Sequence, residues 1–192
     1  MKLRTAKTLL VLLLIFSQRS SGQIVNIENA RMRSDTVGWQ GSLGAYGSLT
    51  QNTVQIFQAG LDAKLQYKTK RNSGLWLILG NMDMLRVKSL KYVSNGMLHI
   101  RYNFKVNDWL RWEAFGQYQD NAVTQIDHRI LFGTGPRLKL IDKKMFRLYL
   151  ASLMMFENEK EMTKPAVMHN DIRNSSYLSF TWLPASNLEL VS

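Results

Sequence analysis

The chain has 192 residues, no cysteine and a formal charge of +11. One domain is the expectation for that length. The lack of cysteine excludes a disulfide framework and a thiolate metal site. No run of lysine and arginine interleaves with aromatics on one face, so nucleic acid is not an expected partner.

The first segment is a targeting signal by its pattern. Lys2, Arg4 and Lys7 precede the apolar run Leu9 to Phe16, and Ser20-Ser21-Gly22 follow. A positive start, a short apolar stretch and small residues at a cleavage site read as a secretory signal peptide over residues 1–22. Eight apolar residues are too few to span a bilayer as a helix. Cleavage near Gly22 would leave Gln23 first and reduce the charge to +7. A mild positive excess suits contact with anionic headgroups or lipopolysaccharide phosphates. No later segment reaches the roughly 20 apolar residues of a membrane helix, so a secreted chain of this kind is a membrane protein only as a barrel.

Residues 23–36 read as a periplasmic lead-in or short plug. Strands follow in order. The first, Val37 to Thr50, sets Trp39, Leu43, Ala45 and Leu49 against Gln40, Ser42 and Ser48, with glycines that permit bending. The second, Val54 to Lys68, sets Phe57, Leu61, Leu65 and Tyr67 against Gln58, Asp62, Lys64 and Gln66. The third, Leu75 to Leu85, is apolar on both faces; Asn81 and Asp83 suggest that Trp76, Ile78, Met82 and Met84 point outward. Arg86 to Ser94 is a loop. The fourth, Asn95 to Phe104, sets Leu98, Ile100, Tyr102 and Phe104 against His99, Arg101 and Asn103.

The stretch Trp109 to Leu140 holds the clearest pair. Its first half puts Leu110, Trp112, Ala114, Gly116 and Tyr118 on one face and Arg111, Glu113, Phe115, Gln117 and Gln119 on the other. Its second half puts Ile126, Ile130, Phe132, Leu138 and Leu140 against Asp127, Arg129, Arg137 and Lys139. A seventh strand, Phe146 to Glu157, and an eighth, Arg173 to Trp182, flank a loop from Asn158 to Ile172 that contains His169. Leu188 to Ser192 begins a ninth. Strands of roughly 9–11 residues cross a bilayer when tilted. One apolar and one charged face in strands this long predicts an all-β, antiparallel up-and-down transmembrane β-barrel over residues 37–192. Short connections after strands 4, 6 and 8 suggest periplasmic turns. Aromatics near strand ends, Trp39, Tyr67, Trp76, Trp109, Tyr118, Phe146, Phe156 and Trp182, suggest interface girdles. A soluble sandwich core would bury aromatics too.

Four motifs carry a resemblance: Gln66-Tyr67-Lys68-Thr69-Lys70, Arg101-Tyr102-Asn103-Phe104-Lys105, Arg111-Trp112-Glu113-Ala114-Phe115 and Gly133-Thr134-Gly135-Pro136-Arg137. In that order they resemble the YdiY-like salt-induced outer-membrane proteins, a domain of unknown function (481), in a Bacteroidetes-type version. The resemblance implies an outer-membrane barrel, with envelope or salt-stress response as its role, and brings no catalytic residues. Such barrels usually end on an aromatic. This chain ends Leu190-Val191-Ser192, and the expectation is a C-terminally incomplete barrel of about eight to nine strands, a fragment.

The inward face carries the candidate lumen network: Arg101, Arg111, Glu113, Asp127, Arg129, Arg137 and Glu157. Pairing Phe104 with Leu110 would face Arg101 to Glu113. Pairing Leu140 with Phe146 would face Arg129 to Glu157 and Arg137 to Tyr149. Charges in a small lumen must pair or stay wet, so this is a structural plug of ion pairs or a narrow anion-favouring pore. A lipase-type site would need a serine near His128; Ser152, in that register opposite Thr134, is too far, and no enzyme is expected. Glu157, Glu159 and Glu161 offer at most a loose Ca²⁺ site, so no metal or cofactor is expected. The expected partners are outer-membrane lipid, lipopolysaccharide and the barrel assembly machinery. The alternative is a soluble periplasmic lipocalin-like barrel binding a small lipophilic ligand, with the apolar face inward.

Overall fold

A computed structural model describes residues 30–32, 37–70, 73–87, 91–185 and 188–191. The signal-peptide expectation lies outside these residues. The described residues form a single antiparallel sheet whose strands pair in chain order: β1 (Gly38–Gln51), β2 (Gln55–Lys68), β3 (Gly74–Val87), β4 (Lys91–Lys105), β5 (Leu110–Asn121), β6 (Ile126–Lys143), β7 (Phe146–Glu161), β8 (Met168–Ala185) and β9 (Leu188–Val191). This is the expected all-β, up-and-down topology. Among the described residues no ladder joins β1 to β9.

The sheet is strongly curved. Neighbouring strands lie about 4.8 Å apart, so β4 and β8 would be roughly 19 Å apart across a flat sheet. Yet Arg101 on β4 donates to the Tyr177 hydroxyl on β8 at 3.4 Å. Only a sheet curled into a gutter brings those side chains together.

Period two sorts the side chains between the faces. The convex face carries exposed apolar residues such as Leu43, Leu61, Leu98, Phe132, Met154 and Ile172. The concave face buries Gln66, His99, Arg101, Asn103, Glu113, Gln117, Arg137 and Glu157. A small apolar cluster, Phe115, Leu131, Ala151, Leu153 and Met155 with Tyr177 against it, lies on the same face. Gly133 makes room there: a Cβ at that position would sit 2.3 Å from the Phe115 ring.

Several boundaries differ from expectation. The Arg86–Ser94 and Asn158–Ile172 loops are largely strand, because β3/β4 and β7/β8 continue their ladders past the apolar belt into polar residues. His169 is therefore on β8, against Glu161 at 3.0 Å. The β6/β7 turn has only Lys144 and Met145 between strands. Ile126 is buried rather than outward, since the β5/β6 and β6/β7 ladders shift register beside it; a bulge changes which side a residue faces.

All five tryptophans collect at one end. Trp39 begins β1, Trp76 begins β3, Trp109 is in the β4/β5 turn, Trp112 begins β5 and Trp182 nears the end of β8. All are at least two-fifths exposed. Trp39 packs on Tyr67 at 4.8 Å between ring centres, and Trp76 stacks on Tyr102 at 4.4 Å.

Candidate functional site

The concave face carries two ion clusters, one on each side of the apolar cluster. The first is centred on Glu113, which is fully buried. The alternation of β5 points it inward between Arg111 and Phe115. Arg137 on β6 reaches Oε1 at 3.0 Å, and Arg101 on β4 reaches Oε2 at 3.5 Å. The Tyr177 hydroxyl on β8 donates to Oε2. The Asn103 amide, turned with its nitrogen toward the carboxylate, also donates to Glu113. Arg31, from the segment before β1, reaches Oε1 at 3.1 Å.

That segment lies across the concave face. Met32 exchanges two hydrogen bonds with the buried Gln66 amide, at 3.1 and 2.9 Å, and Ala30 packs on Leu77 and Leu79. One carboxylate thus ties four strands and the N-terminal segment together. Burying a carboxylate is costly unless it is paired and hydrogen-bonded, and this one has several charged or strong donors at hydrogen-bond range.

The second cluster is a ladder on β6, β7 and β8. Arg129 pairs with Glu157 at 3.2 Å and with Glu159 directly across the strand pair. Arg173 joins Glu157 at 3.1 Å and Asp171 at 3.1 Å. Its members other than Glu157 are partly exposed.

Both expected contacts to the carboxylates form, but in a different register. Asn103, not Arg101, lies opposite Glu113, and Lys139, not Arg137, lies opposite Tyr149. Both shifts are by two residues, which preserves the face, so Arg101 and Arg129 reach Glu113 and Glu157 diagonally. Arg137 stacks over the Tyr149 ring at 4.2 Å. Two network members stand apart. Asp127 pairs with Lys160 at 2.8 Å and with His128 beside it, clear of both clusters. Arg111 faces inward but makes no ion pair among the described residues.

Sequence reasoning missed Arg31, Asn103 and Tyr177 as ligands of Glu113. The parity of β8 does place Tyr177 inward; no sequence signal predicts that β8 curls over β5.

The remaining histidines are dispersed. His99 is buried with Nδ1 2.9 Å from the Gln117 oxygen. The outward Ser152 bonds Ser176 and Asn174 at 3.0 and 3.1 Å. It lies eight residues along β7 from Lys160, the partner of His128, roughly 27 Å away at 3.4 Å per residue. The three glutamates of the loose Ca²⁺ expectation pair with Arg129, Arg173 and His169; among the described residues no group of metal-ligating side chains occurs.

A family model described as "Protein of unknown function, DUF481" matches residues 58–191. The chain belongs to the DUF481 family. The match to DUF481 runs from within β2 to β9 and takes in Arg101, Glu113, Arg137 and Tyr177, whereas Arg31 and β1 precede it. Comparison with curated proteins and with solved structures gives no match.

Proposed function

We propose that this DUF481 chain is an outer-membrane β-barrel protein, its convex face against lipid and its concave face a packed, ion-paired interior. The observation that carries the reading is the inverted polarity: the exposed side of the curved sheet is apolar and the sheltered side holds Arg101, Glu113 and Arg137, at most 3 % exposed. In water such an arrangement is costly on both faces. In a bilayer it is the expected one. The tryptophan ring at the end where β1 begins suits the periplasmic interface. Among the described residues no helix is long and apolar enough to cross a membrane, so the crossing falls to strands.

The interior favours a structural role over an open pore. Arg101 and Arg137 are engaged by Glu113 rather than lining a water path, and the Arg31 segment lies over them. The protein then acts through its wall, as part of an envelope response to salt, and not by catalysis. A soluble binder of lipophilic ligands would need an apolar concave face, and the buried charges weigh against it.

Export of the chain with its signal in a Gram-negative host tests the reading. Outer-membrane fractionation and a gel mobility that shifts on boiling are expected; recovery as a soluble periplasmic protein would overturn it.

A further inference from the structure

Lys105, Arg111 and Arg137 are direct cross-strand neighbours, Lys105 opposite Arg111 on β4/β5 and Arg111 opposite Arg137 on β5/β6. Three cations on one rung of one face repel each other. Two of them have their own carboxylates. Lys105 pairs with Asp108 at 2.6 Å and Arg137 with Glu113 at 3.0 Å. Lys139, two residues beyond Arg137 on the same face, pairs with Asp142 at 2.6 Å. Arg111 has no such partner among the described residues. Glu113 is two residues away on the same face, but Arg31, Arg137 and Asn103 crowd one of its oxygens and Arg101 and Tyr177 the other. A carboxylate has about four acceptor positions, so Glu113 has none left for Arg111. Arg111 is half-buried on the concave face, not fully enclosed.

We propose that Arg111 is an anion-binding residue, holding a free tetrahedral oxyanion of the phosphate or sulfate class. The planar guanidinium fork matches such an ion with two parallel hydrogen bonds, and the bound charge relieves the repulsion along the rung. The site lies on the concave face, away from the convex apolar belt, so the ion comes from solution rather than from a lipid headgroup. The inference does not depend on where the sheet resides, and its failure leaves the membrane reading untouched.

The test is the melting midpoint of the purified full chain in detergent, in inorganic phosphate and in sodium chloride at matched ionic strength. Phosphate is expected to raise the midpoint above chloride. R111Q should abolish that increment, with apparent phosphate affinity at least tenfold weaker. K64Q removes a charge from the same concave face on β2 and should keep the increment. R111K keeps the charge without the fork and should retain less than half of it, and this variant decides the matter where R111Q does not fold. Absence of a phosphate-specific increment in the unaltered chain, or its survival in R111Q and R111K, overturns the proposal. A response to phosphatidylglycerol micelles but not to inorganic phosphate overturns the free-ion assignment.

Discussion

Glu113 and Glu157 are both nearly inaccessible carboxylates on the same concave face. One is held from β4, β6, β8 and the segment before β1; the other is held by arginines on the two strands flanking its own. The ladder around Glu157 needs only local hairpin pairing, and each of its arginines has a second carboxylate. The arginines on β4 and β6 also reach Glu113 from flanking strands, but the Tyr177 contact to it forms only if the sheet curls far enough for β8 to meet β5. The first therefore reports hairpin formation and the second reports curvature.

The sharpest way to break this contrast is E113Q. It leaves Arg101 and Arg137 buried without the charge they face, and removing one partner of a buried ion pair costs about 3–5 kcal/mol. Urea unfolding should show that loss, and the mobility shift on boiling should vanish with it. A loss below 1 kcal/mol would mean that the cluster does not hold the curvature. Next is L98R, in the middle of the convex face of β4. It should cost about 2–4 kcal/mol in a bilayer; an unchanged midpoint would remove the support for lipid contact.

Y177F sharpens the comparison, since it deletes the hydroxyl by which β8 reaches Glu113 on β5 and Arg101 on β4. A hydrogen bond to a charged group contributes about 1.5–3 kcal/mol, and that loss should appear in the same urea series. The smallest effect is expected for E157Q. Arg129 keeps Glu159 and Arg173 keeps Asp171, and partly exposed pairs contribute about 0–1 kcal/mol each. Should E157Q cost as much as E113Q, the distinction between the two clusters fails.

The faces of the strands were legible in the sequence. Arg101, Glu113, Arg129, Arg137 and Glu157 all point inward as their period-two positions require, and the outward positions of Trp76 and Met82 followed from Asn81 and Asp83. The registers were less legible. A slip of two residues leaves every face unchanged, so the apolar pattern could not tell Leu110 from Trp112 as the partner of Phe104. Asp127 was misplaced with the network because the bulge beside Ile126 interrupts the alternation. Strand ends were underestimated at β4, β7 and β8 because the ladders outrun the apolar belt on which the boundaries were judged.

What the sequence determined by itself was the alternation: which residues share a face, that the strands follow one another as hairpins, and that one face is apolar and the other charged. Those are local properties, dictated by the two-residue period of an extended chain. Only the tertiary structure decided that the charged face is the concave one, and that Arg31, Arg101, Arg137 and Tyr177 meet at one carboxylate. Curvature is a collective property of the sheet, summed over twist, bulges and small residues such as Gly133. It brings together positions 64 and 82 residues apart in the chain, a separation over which no short-range pattern carries information.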